Sequence, residues 1–110
     1  MTGNESIQKV KIYLTEQFHL TEEQIESMLP GFVTTLATHL QNLETALAEN
    51  NLVTIGKTAH TIKGALLNLG LDECAKTALV IEEEAKAEND SADFVKLVGD
   101  LRTGLAPVIT

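Results

Sequence analysis

His60 is the residue in this chain best placed to do chemistry. The stretch "AHTIKGALLNLG", residues 59–70, sets it between Gly56 and Gly64, each one helical turn away, with Lys57 and Lys63 on the flanks. Neutral imidazole is well populated near pH 7 and is a good nucleophile. A lysine one turn on, Lys63, offsets the charge of an incoming phosphoryl group. Glycine inside a helix costs about 1 kcal/mol relative to alanine, so two of them need a reason. At Gly64 the reason is clearance for another protein's active site; Gly56 fits clearance or close helix packing equally well.

The helix that carries these residues is marked by Leu52, Ile55, Ala59, Ile62, Leu66 and Leu69, which alternate steps of three and four into one buried stripe. At 100° per residue the stripe centres about 150° from His60, so the ring faces outward. Val53 and Leu67 fall on the same outward face and are candidate docking contacts, together with Gly56 and Lys57. No acidic residue occurs between Glu49 and Asp72, although the chain carries sixteen. This locally basic window suits a partner with an acidic site or a transferring anionic group.

The 110 residues argue for a single domain, 1–110, with its bundle core at about 32–106. Apolar residues make up 44% and are mostly Leu, Ala, Ile and Val, a palette for packed helices. A net charge of −8 disfavours nucleic acid. The single Cys74 excludes an internal disulfide and fits the cytoplasm. No apolar run spans a bilayer, and the N-terminus lacks a signal-peptide layout. No second ligand sits three or four residues from His39 or His60, and no metal site is expected. His19 and His39 read as ordinary surface residues, and Cys74 as a small core residue.

Helix signals fill the chain. An amphipathic segment runs from about Glu5 to Gln17. Thr21 to Gln24 is a capping box, and the helix it opens is expected to end or kink at Pro30-Gly31. Phe32, Leu36, Leu40, Leu43 and Leu47 mark the next helix, and Asn50-Asn51 a turn. Gly70 fits the left-handed position past the end of the His60 helix, with Leu71 packing back on Leu66. Asp72 is expected to cap a helix reaching about Glu88, and Asp90 or Ser91 to cap a last one through Phe94, Leu101 and Leu105. The fold expected is all-α: an antiparallel up-down four-helix bundle with one or two short additional N-terminal helices.

The motif His-x-x-Lys-Gly, followed by a glycine ten residues after the histidine (His60, Lys63, Gly64, Gly70), resembles that of the histidine-containing phosphotransfer (HPt) domain family. The resemblance runs from about Thr21 to the C-terminus. It implies a phosphorelay intermediate: His60 takes a phosphoryl group from the phosphoaspartate of a hybrid sensor kinase's receiver domain and passes it to a response-regulator receiver. Without a nucleotide-binding loop the chain is expected to be a phosphocarrier lacking ATP-dependent kinase activity. With no carboxylate cluster around His60 no intrinsic cofactor is expected, the Mg²⁺ coming from the receiver. A single docking face needs no dimer, so a monomer is expected. Several family members hydrogen-bond the imidazole from the next helix, where Glu82 is the nearest candidate, although Glu82–Glu84 by itself reads as a solvated face. Leu66-Leu67 departs from the small residues that many members carry there. The alternative is a helical binding module that docks receivers or kinases without being phosphorylated. A kinase dimerisation domain fits less well, because Thr61 follows His60 where that class carries an acidic residue.

Overall fold

Thr21 opens the longest helix by the expected capping box. Its hydroxyl accepts from the Gln24 backbone N–H at 3.2 Å, while the Gln24 side chain accepts from the Thr21 N–H at 2.9 Å. The computed structural model describes residues 2–89 and 91–109, with side chains from residue 7 onward. These residues form α1 (Thr2–Phe18), α2 (Glu22–Ala48), α3 (Leu52–Asn68), α4 (Asp72–Lys86) and α5 (Phe94–Ile109). There is no strand among them. Helices α2 to α5 close a four-helix ring in which each packs on its neighbours in sequence and α5 returns to α2; α1 lies against α2 and α5.

Three boundaries differ from expectation. α2 neither stops at Pro30-Gly31 nor yields a separate short helix there; it runs through as 27 residues. Pro30 leaves the Glu26 carbonyl without its amide partner, but Ile25 and Leu29 before it and Leu36 after it are all buried in one core. Burial on both sides outweighs one lost hydrogen bond. For the same reason α5 passes through Pro107 to bury Val108, beyond the expected core limit. The extra N-terminal element is thus a single helix, and at 17 residues it is not short.

The caps also differ. Leu71, not Asp72, is the N-cap of α4 and makes no side-chain cap bond. α5 is capped by Asp93, whose Oδ1 accepts from the Lys96 N–H at 3.0 Å, rather than by Ser91; Asp90 lies outside the described residues. Gly70 behaves as its position demands. Its φ is +73°, its N–H donates to the Leu67 carbonyl and the Leu71 N–H to that of Leu66, the paired bonds of a Schellman ending. A Cβ at Gly70 would collide with the Tyr13 ring, so α1 is seated over the end of α3.

The stripe Ile55, Ala59, Ile62 and Leu66 is fully buried, as the periodicity requires, and faces Leu36, Leu40 and Leu43 of α2 in one core. Across the ring, Arg102 of α5 makes a bidentate pair with Glu44 of α2 at 2.5 and 2.6 Å. Cys74 is only half-buried, and burial pushes its thiol pKa up.

Candidate functional site

The buried stripe of α3 turns His60 outward, and its side chain is 64% exposed. α4 packs beside it closely enough to bring Glu82 beneath the ring. A Cβ on Gly56 would stand 3.4 Å from the Ala85 Cβ, so the two helices meet with almost no side chain between them. Gly56 is buried. Of the two readings left open for Gly56, this contact favours close helix packing, and the residue still lines the groove beside the ring. Gly64 is exposed, and a Cβ there would meet nothing within 4 Å, which is open clearance one turn beyond the histidine.

Glu82 is not part of a solvated face. It is 3% exposed and holds three partners: His60 Nδ1 donates to Oε2 at 2.8 Å, Lys63 Nζ to Oε1 at 2.8 Å and Lys86 Nζ to Oε2 at 2.7 Å. The Lys63 ammonium beside it, then that of Lys86, hold its pKa down at about 2 against an ordinary 4.5, overcoming the opposing effect of burial. Glu82 is therefore a carboxylate at neutral pH and can only accept hydrogen bonds. The proton must sit on His60 Nδ1. In the neutral form of the ring Nε2 then keeps the lone pair, on an imidazole that is mostly exposed.

Lys63 does not stand free beside the imidazole, as its spacing suggested. Its side chain is 23% exposed and its ammonium is spent on Glu82. Lys57 is exposed and makes no ion pair among the described residues. Lys86 was missed by the sequence reading. The signal was there, because a lysine four residues after a glutamate on a helix is a standard pairing. Val53 and Leu67 are 64% and 47% exposed, on the outward face where the wheel places them. Leu79 of α4 adds a third exposed apolar side chain, at 38%. A groove of about 570 Å³ runs beside the ring, with Val53, Gly56 and Lys57 on one wall and Ala85 and Lys86 on the other.

The family model of the Hpt domain matches residues 27–108. The chain belongs to the Hpt domain family, helical phosphocarrier modules that act in histidine phosphotransfer within two-component phosphorelays and interact with receiver domains. The comparisons with curated proteins and with solved structures give no match. Among the described residues, no helix is long and apolar enough to cross a membrane.

Proposed function

We propose that His60 is the phosphoryl carrier of a phosphorelay, taking the group from the phosphoaspartate of a hybrid kinase's receiver domain and handing it to a response-regulator receiver. The observation that carries this reading is the bond from His60 Nδ1 to the ionised Glu82, which leaves Nε2 as the nucleophile. In the step proposed, the Nε2 lone pair attacks phosphorus in line. The N–P bond forms as the aspartyl O–P bond breaks, and the electron pair leaves with the aspartate carboxylate. The ring becomes an imidazolium that keeps its Nδ1–H, and Glu82 stabilises the new positive charge. Onward transfer is the reverse, with a neutral imidazole as leaving group.

The whole chain is read as one such domain, monomeric and cytoplasmic, with no ATP-dependent kinase activity of its own. Both Glu82 oxygens are occupied by cations and the ring, a donor set unsuited to a hard cation that needs free carboxylate oxygen. Mg²⁺ is therefore assigned to the receiver. Val53, Leu67 and Leu79 supply apolar contact on the docking face, and Gly64 keeps it open.

The test is transfer of label from a phosphorylated receiver domain. Wild-type protein acquires one acid-labile phosphoryl group, and His60→Gln acquires none. A His60→Gln variant that labels as well as wild type rejects the carrier. Receiver binding without labelling of the wild type would instead favour the docking module.

A further inference from the structure

We propose that the transferring phosphoryl group is held in the groove between Lys57 and Lys86, and that Lys63, the lysine of the family motif, stays on Glu82 throughout. The inference rests on His60 as the carrier and names the side chains that grip its cargo.

Side chains on a helix lean toward its N-terminus, so a ring covers the turn before its own Cα. His60 accordingly shares its groove with Gly56 and Lys57 of that preceding turn, with Val53 a further turn back, and with Lys86 of α4. Lys63 lines a different depression, with Leu67, Lys76 and Leu79.

The bonding of Glu82 separates the two lysines that touch it. Oε1 accepts from Lys63 alone, whereas Oε2 accepts from both His60 and Lys86. If Lys86 leaves, each oxygen of the buried carboxylate keeps one donor. If Lys63 leaves, Oε1 is stripped in a site that is 3% exposed, and burying a bare carboxylate oxygen is strongly unfavourable. Lys86 is the cation free to move, and its side chain is 68% exposed. Lys57 needs no release, having no ion-pair partner among the described residues. Together they bring two positive charges to a dianion. Glu88, which also lines the groove, lies past the C-terminal end of α4 and favours seating the anion toward His60.

The experiment loads the ring without any partner protein. Phosphoramidate transfers its phosphoryl group to imidazole nitrogen: a new N–P bond forms at Nε2 while the reagent's own N–P bond breaks and its electron pair leaves with ammonia. A ³¹P NMR pH titration then reads the phosphoryl group's own protonation, with His60→Gln identifying the resonance. Lys57→Gln and Lys86→Gln each raise the phosphoryl pKa by roughly half a unit or more, because each removes a neighbouring cation. Lys63→Gln leaves it close to wild type. Wild-type titration in the Lys57 and Lys86 variants, or an equal rise in Lys63→Gln, overturns the assignment. Failure of a receiver domain to label a chain that phosphoramidate does load would reject the relay while leaving the groove tested. A wild-type chain that never shows the His60 resonance overturns both.

Discussion

Glu82 Oε2 lies 2.8 Å from His60 Nδ1, and in the relay proposed for this chain that one contact selects the reacting ring nitrogen. With the carboxylate ionised, the neutral ring carries its proton on Nδ1 and its lone pair on Nε2. Glu82→Ala removes the acceptor and frees the ring to populate the other tautomer. Long-range ¹H–¹⁵N spectra should show Nε2 unprotonated in the wild type and a tautomer mixture in the variant. Phosphoryl uptake from a receiver should fall roughly tenfold or more. An unchanged tautomer would separate Glu82 from the chemistry.

The same carboxylate couples stability to pH. Its folded-state pKa is depressed from 4.5 to about 2, so its stabilising contribution is complete above the unfolded value. It declines below about pH 4.5 and is lost as the pH falls through about 2. Denaturant unfolding of wild type and Glu82→Gln from pH 7 to pH 2 checks this. The gap between the two proteins should be constant near neutrality and narrow in acid; a gap independent of pH would contradict it.

Gly56 and Gly64 should respond oppositely to enlargement. Gly56→Leu must fit a side chain where a Cβ already stands 3.4 Å from Ala85, an overpacking worth roughly 1–3 kcal/mol of destabilisation. Gly64→Gln meets open space and should stabilise the helix by about 0.5–1 kcal/mol. It should nevertheless slow transfer from a receiver by roughly tenfold, because it fills the clearance beside His60. Thermal unfolding and transfer rates on both variants separate packing from access.

Gly70→Ala combines a left-handed φ of +73° with a collision against Tyr13. The expected loss is above about 1 kcal/mol. Tyr13→Ala in the same chain should recover part of it by removing the steric component. No recovery would mean that the backbone strain alone is responsible.

The helical class, the outward aspect of His60 and the ending at Gly70 were legible in the sequence, because each rests on local periodicity or a local backbone requirement. Pro30 misled because its penalty is local while the burial of Leu29 and Leu36 on either side is tertiary. Gly56 was judged on a helical wheel drawn for α3 alone, and Glu82 by itself as one of a run of three glutamates, only the family resemblance pointing it at the imidazole. Their true environment is the α3–α4 contact, which a single wheel cannot contain. Asp93 was passed over in favour of Asp90 and Ser91, though it stands directly before the first buried residue of α5, Phe94. Lys63 matched its motif by position, yet its ammonium direction depends on Glu82 across that same contact.

The most direct measurement is the site of the phosphoryl bond after mixing the protein with a phosphorylated receiver domain. Heteronuclear ³¹P–¹⁵N coupling on ¹⁵N-histidine protein reads it atom by atom. The account predicts a single N–P bond at His60 Nε2 with Nδ1 still protonated against Glu82. Phosphorylation at Nδ1, at another histidine, or not at all would contradict it.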